Sequence, residues 1–190
     1  EKDIARFGGE IHKSADRLLT LINDTIRLSE LDATTQDVVL ETVDLYQAAE
    51  NCMDTLEISA QKHDVTLKLE GVPCKIRTEK GMADEVIYNL CDNAIRYNNK
   101  GGSVTISVLP VANQVVLSVK DTGIGISKEH QERIFERFYR VDKSRSKSTG
   151  GTGLGLAIVK HIVARNGARM ELTSEVGKGT EIKIYFDKAA

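Results

Sequence analysis

The sequence has no excess of either charge. Its 26 basic and 28 acidic residues leave a net charge of −2, so the composition does not point to nucleic acid as a partner. It contains no run of 18 apolar residues and no charged-then-apolar opening of the signal-peptide kind, so neither a membrane span nor a secretory leader is read from these residues. Cysteine is scarce. Cys52, Cys74 and Cys91 are odd in number, form no C-x-x-C pair, and read as free, partly buried thiols in a reducing compartment. The rest is ordinary globular composition, 41% hydrophobic and 28% charged over 190 residues, enough for one domain with a real core and an appended element. The chain opens inside a helical pattern at Glu1, without Met or a cap, and is expected to be cut from something longer.

Apolar residues fall at Ile4, Phe7, Ile11, Ala15, Leu18, Ile22 and Ile26. Steps of three and four predict one amphipathic helix up to about Leu31, roughly 40 Å long at about 1.5 Å per residue. Gly8 and Gly9 weaken its first turns by about 1 kcal/mol each. A lone apolar stripe of this length needs a partner helix. The polar stretch that follows sets a boundary near Asp32. Then come a short strand over 38–43, a helix from Asp44 to about Lys62, and a pair of strands in "VTLKLEG" and "CKIRT". The next helix, in "EKGMADEVIYNLCDNAIRY", carries Met82, Val86, Ile87, Leu90, Ala94 and Ile95 on one face. "SVTISVLP" and "NQVVLSVKD" alternate with period two and predict a hairpin through Val111, Ala112 and Asn113. "SKEHQERIF" reads as a short helix capped by Ser127, "RVDKSRSKSTGG" as a mobile basic loop, and "RMELTSEVGKGTEIKIYF" as a last hairpin. Strict β-α-β alternation is missing, which predicts an α+β two-layer sandwich, not a doubly wound sheet.

Three short motifs carry chemistry. "GGTGLGLAIVKHIV" (150–163) places Gly151, Gly153 and Gly155 before a helix. The dinucleotide fingerprint needs G-x-G-x-x-G after a strand, and the P-loop needs Lys-Ser or Lys-Thr after its last glycine. Both fail here. What survives is backbone N–H close to an anion at a helix N-terminus, against the plainer reading of a flexible loop. "KDTGIGI" (120–126) ends a strand on Asp121 and bends on Gly123 and Gly125. A carboxylate there can accept from an exocyclic amine such as adenine N6; buried alone, it would cost several kcal/mol. The D-T-G of aspartic proteases needs a second such Asp, from a repeat or from a homodimer, and an all-β chain; this sequence has one D-T-G and at least four expected helices. Finally, Glu85, Asn89 and Asn93 form one polar helical stripe, with Arg96 and Tyr97 after it. Amide oxygens suit Mg²⁺, which binds nucleotides through few protein ligands plus phosphate oxygens.

In this order the pieces resemble the sensor histidine kinases of two-component systems. Their ATP-binding domain has the Bergerat fold shared with DNA gyrase B and MutL. "EVIYNLCDNAIRYNN" looks like the N box, "DTGIGI" the G1 box, "RIFERFYRVD" the F box, "GGTGLGLAIV" the G2 box, and "GKGT" the last glycine turn. The resemblance implies an ATP-binding catalytic domain over residues 33–190, with a lid at about 135–155. Residues 1–32 would be the second helix of a dimerisation hairpin. It implies ATP and Mg²⁺, with Asn89 on the metal and Asn93 supporting metal or phosphate. Arg96 and Tyr97 would face the nucleotide. Asp121 would read adenine N6 with Thr180 nearby through water, and Gly123 and Gly125 would give the base room beside Ile126. Phe135 and Phe138 would anchor the lid, with Phe138 in the nucleotide set. Arg140 would approach the phosphates. Gly151, Gly153, Leu154, Gly155 and Leu156 would border the triphosphate. Glu85 sits where the ATPases of this fold keep a general base; in the kinases the attacking group is a histidine, not water. Glu85, Asn89 and Arg140 are the expected catalytic residues.

The family's acceptor box is His, then Glu or Asp, then a nearby Pro. His12 is followed by Lys13, and no proline precedes Pro73. His63 reads as a helix end, and His130 and His161 as helix-surface residues. The N-terminal helix therefore resembles the second hairpin helix, and the acceptor helix is expected upstream. The resemblance implies phosphoryl transfer from ATP to that histidine and on to an Asp of a response regulator receiver domain. It implies a homodimer through the hairpin in the full-length protein, no nucleic acid, and a cytoplasmic domain. The full-length protein would sit in the bacterial plasma membrane through absent upstream segments. This fragment is expected to bind Mg–ATP without phosphorylating itself. The alternative is an ATPase of the gyrase B/MutL type.

Overall fold

The computed structural model describes residues 2–33, 39–141 and 151–189. Helix α1 runs Lys2–Asp32. Its two ends differ. Leu28 and Leu31 sit in the main core, whereas Ile11, Leu18, Ile22 and Ile26 stay more than half exposed. The apolar stripe expected from the three-four spacing is therefore half open.

Strand β1 (Leu40–Asp44) leads into helix α2 (Leu45–His63). It starts two residues later than the pattern suggests, and Val38 lies outside the described residues. Asp44 begins α2 by accepting from the backbone N–H of Tyr46 at 3.0 Å and of Gln47 at 3.4 Å, satisfying donors that a first turn leaves unpaired. The next two strands, β2 (Val65–Gly71) and β3 (Lys75–Glu79), form as expected but do not pair with one another. β3 joins β1 in a small antiparallel sheet, and β2 lies parallel to β4 (Gly102–Val111) in the main sheet. Gly71 makes the difference. Its φ is 122°, and a β-carbon there would lie 2.0 Å from the Val108 carbonyl oxygen. Only glycine lets the chain leave the sheet so close to β4.

Helix α3 (Met82–Arg96) buries Met82, Val86, Ile87, Leu90, Ala94 and Ile95, the face read from the sequence. The main sheet has the order β2-β4-β5-β7-β6, with β5 Gln114–Asp121, β6 Arg169–Glu175 and β7 Gly179–Asp187. Both expected hairpins, β4–β5 and β6–β7, are present. Helices α2, α3 and α5 (Gly155–Arg165) pack on one face, over Ile106, Leu117 and Ile184, which are fully buried. This is the two-layer α+β sandwich.

Between β5 and α5 lies a single-turn helix, α4 (Lys128–Gln131), followed by a 3-10 turn at Arg133–Phe135. Ser127 does not cap α4 as expected. Its hydroxyl donates to Glu129 Oε1 at 3.2 Å, and the His130 N–H donates to the Ser127 carbonyl at 3.0 Å. The basic loop with Lys143, Arg145 and Lys147, the core of the expected lid, lies outside the described residues. All three cysteines are free and buried. Since α3 carries the amide stripe, its inner face underlies the site. Ile87→Ala should lower the unfolding free energy by about 3 kcal/mol, read as a shift in urea midpoint at unchanged slope.

Candidate active site

One cavity of about 600 Å³ opens where α1, α3, the β5–α4 turn, the segment around Arg140, the glycine loop and the start of β7 converge. It has the size of a nucleotide-scale ligand site. Among the sequence-selected residues it gathers Asn89, Asn93, Arg96, Tyr97, Asp121, Gly125, Ile126, Arg140, Gly151, Gly153, Gly155, Leu156 and Thr180.

At one end stand the two amides. Asn89 Nδ2 donates to the Glu85 carbonyl at 2.8 Å and Asn93 Nδ2 to the Asn89 carbonyl at 2.9 Å. Tying each nitrogen to the preceding turn leaves each Oδ1 as an acceptor-only oxygen. Gly155, the first residue of α5, lies against them: a β-carbon there would be 2.6 Å from Asn89 Oδ1. The uncapped N-terminus of α5 thus meets the amide oxygens at a glycine, and no side chain caps it by Ncap bonding. Such an end attracts anions. Among the described residues no group of three or more His, Cys, Asp or Glu could hold a metal. The amide oxygens fit Mg²⁺ that keeps most of its ligands from water and phosphate.

At the other end is Asp121. Its Oδ1 accepts from Gly123 N at 2.8 Å and Thr180 N at 3.2 Å. Burial pushes its carboxyl above the usual range, and these two N–H bonds work the other way. Both bonds fall on Oδ1, so among the described residues Oδ2 remains for a donor from the cavity. Gly123 acts beneath the site. A β-carbon would lie 2.3 Å from the Tyr97 carbonyl oxygen, to which Ile124 N–H donates at 3.1 Å. Ser174 joins the two turns around Asp121: it accepts from Ile126 N at 2.8 Å, donates to the Gly179 carbonyl at 3.1 Å and sits 2.8 Å from the Thr180 hydroxyl.

The glycine loop is tied down from several sides. Arg140 donates to the Gly151 carbonyl, and Phe138 N–H to the Gly153 carbonyl at 3.0 Å. Gly153 has φ 77°, and a β-carbon would press on Phe138 at 3.2 Å. Thr152 Oγ1 accepts from Leu154 N at 3.3 Å and donates to Asp24 Oδ2 on α1 at 2.7 Å.

Four selected residues do not line the cavity. Glu85 is paired with Arg27 of α1 at 2.9 Å, which also holds Glu30. Gly123 lies under the turn just described. Leu154 is fully buried in the core. Phe138 is exposed and borders a smaller pocket with Thr25, Leu28 and Arg137, facing α1. Phe135 is half-buried and likewise does not line the cavity. His130 and His161 are part-exposed helix residues with partners: His130 Nδ1 is 2.7 Å from the Tyr139 hydroxyl, and His161 Nε2 is 3.2 Å from Asp32 Oδ1. His63 does end α2, and His12 is exposed beside Asp16. Sequence reasoning missed Thr20, Asp24, Thr152 and Ser174. Thr152 lies inside the glycine stretch and was open to notice; the α1 residues sit off the apolar steps and carry no local signal. Gly155→Ala should drive Asn89 out of place and weaken nucleotide binding roughly tenfold or more. Calorimetric titration with Mg–ADP checks this, with the melting temperature as control.

Residues 78–190 match the family described as histidine kinase-, DNA gyrase B-, and HSP90-like ATPase. The chain is 35% identical over 182 residues to the sensor-like histidine kinase SenX3 of Mycolicibacterium smegmatis, covering 95% of this chain and 47% of that protein. It is 36% identical over 185 residues to the sensor histidine kinase WalK of Bacillus subtilis, covering 95% of this chain and 30% of that one. It therefore spans less than half the length of either relative. Among solved structures, full-length ShkA in complex with AMPPNP superposes with a TM-score of 0.82 at 26% identity, over 98% of this chain and 39% of that one. The mycobacterial sensor histidine kinase MprB shares the fold at a TM-score of 0.69 and 24% identity, over 79% of this chain and 98% of that one. With the amide stripe, the Asp121 carboxylate and the glycine loop in one cavity, the chain belongs to the histidine kinase-, DNA gyrase B- and HSP90-like ATPase family, as the ATP-binding catalytic region of a sensor histidine kinase.

Proposed function

We propose that this chain binds Mg–ATP and delivers its γ-phosphoryl group to a histidine that lies outside residues 1–190. The observation that carries this is the joining, in one cavity, of acceptor-only amide oxygens, an uncapped helix N-terminus and a carboxylate with an open oxygen. Asp121 reads the adenine amine through Oδ2. Asn89, supported by Asn93, holds Mg²⁺, which neutralises phosphate charge. The N–H groups that start α5 and the flanking Gly151 and Gly153 receive the phosphates. Arg140 and Tyr97 stand beside Gly151, whose β-carbon would lie 3.8 Å from Arg140 Nη2 and 4.0 Å from the Tyr97 hydroxyl. Phosphoryl transfer asks little covalent chemistry of a protein; positioning and charge stabilisation do most of it.

In this reading residues 1–32 form the second hairpin helix, which carries the open apolar stripe of α1, and residues 33–190 form the catalytic domain with its lid at about 135–155. The stripe suits a helical bundle in a homodimer of the full-length protein. The phosphoryl group then passes to an Asp of a response regulator receiver domain. Among the described residues no helix is long and apolar enough to cross a membrane; anchoring in the bacterial plasma membrane belongs to upstream segments.

Incubation with γ-labelled ATP and Mg²⁺ tests this. Nucleotide should bind, no acid-labile label should appear on the chain, and label should appear on a histidine-bearing hairpin from the longer protein supplied in trans. Label on His12 would overturn the fragment reading. Sustained ATP turnover without any acceptor would point instead to gyrase B/MutL-type chemistry. Binding that survives Asp121→Ala unchanged would remove the adenine pocket.

A further inference from the structure

Helix α1 reaches into the nucleotide cavity. Thr20 and Asp24 form part of its wall, although only the C-terminal end of α1, through Leu28 and Leu31, is packed into the sandwich. Asp24 stands at the end where a phosphate chain would lie. It accepts from Thr152 at 2.7 Å, and Thr152 belongs to the glycine loop and accepts from the N–H of Leu154, just before α5. This placement is discordant with an anion site. Among the described residues Asp24 has no cationic partner: its one bond is to a neutral hydroxyl, and the charge that acts on it is another carboxylate, Asp92. Asp92 is itself engaged by Arg96 at 2.6 Å, and Arg27, one turn along α1, is engaged by Glu85 and Glu30. Burial and Asp92 push the Asp24 carboxyl upward and the Thr152 bond opposes them.

We propose that Asp24 is a specificity-determining residue of this site: its carboxylate, held at the phosphate end by Thr152, disfavours a third phosphate, so that with α1 docked the cavity prefers the diphosphate nucleotide to the triphosphate. This rests on the adenine-nucleotide reading above. Each added phosphate brings another negative charge along the glycine loop towards a carboxylate that, among the described residues, has no cationic partner. At a separation near 8 Å in a medium between protein and water, one such repulsion changes an affinity by a factor of about five, and salt reduces it. The discrimination also depends on where α1 lies. The docked end of the helix is fixed by Asp24 to Thr152, Arg27 to Glu85 and Asp32 to Arg137, with Leu28 and Leu31 in the core. A movement of α1 away from the domain takes the carboxylate with it and leaves the Asn89 and Asp121 ends intact.

The test compares ADP and ATP binding to the whole chain and to Asp24→Asn, by titration calorimetry in EDTA and again in Mg²⁺. Asparagine keeps an acceptor for Thr152 and removes only the charge. The expected result is that Asp24→Asn tightens ATP about fivefold relative to ADP at low salt, at an unchanged melting temperature. In the unsubstituted chain, high salt should move the ratio the same way. An ATP-to-ADP ratio that Asp24→Asn leaves unchanged overturns the proposal. So does a variant that weakens Mg–ATP, because Asp24 would then be a metal ligand. If the variant does not fold, the salt titration of the unsubstituted chain decides: a ratio that ignores ionic strength overturns the proposal. If neither nucleotide binds the unsubstituted chain, the nucleotide reading itself fails.

Discussion

The site depends on how closely α5 starts against α3. Gly155 has no side chain to hold the two helices apart, so the first turn of α5 rests beside Asn89 Oδ1, where a β-carbon would be 2.6 Å away. Two partial charges of opposite sign are thereby set side by side: the N–H groups at the helix start and the amide oxygens of α3. Neither alone makes a phosphate site. The buried face of α3 supplies the rigidity, because Val86, Ile87, Leu90 and Ile95 leave its polar stripe almost no freedom to rotate. Packing against the sheet and readiness for a polyanion are two faces of one helix.

The opposite end uses the same device with different chemistry. Gly123, Gly125 and Gly179 let three backbone segments approach closely enough that a β-carbon on each would lie about 2 Å from a carbonyl oxygen. Asp121 is left with one oxygen taken by two backbone N–H groups and, among the described residues, the other open. The glycines of this turn thus fix the carboxylate rather than merely make room for a base.

Much of this was legible in the sequence. The three-four period placed α1 and α3, and the period of two placed the β4–β5 hairpin; α3 and the hairpin bury one face against the common core, whereas the stripe of α1 stays half open. The amide stripe with the glycine loop named one end of the cavity, and the Asp121 turn named the other. What escaped was tertiary. Nothing in "VTLKLEG" and "CKIRT" says that the strands enter different sheets, since the decision lies in the contact of Gly71 with Val108. Phe138 and Glu85 looked like site residues by motif position, yet they face α1, one lining a separate pocket and the other paired with Arg27. Asp24 and Thr20 carry no motif and reach the cavity only because Leu28 and Leu31 draw the end of α1 into the core. A helix that reads as an appendage is in part a wall of the site.

Amide chemical shifts of the chain titrated with Mg–ADP test the central claim, a single adenine-nucleotide cavity with base and phosphates at opposite ends. The account predicts the largest changes in two separate clusters, at Gly123, Gly125 and Thr180, and at Gly153 through Ala157. Changes confined to one cluster, or centred on the small pocket at Phe138 and Leu28, would contradict it.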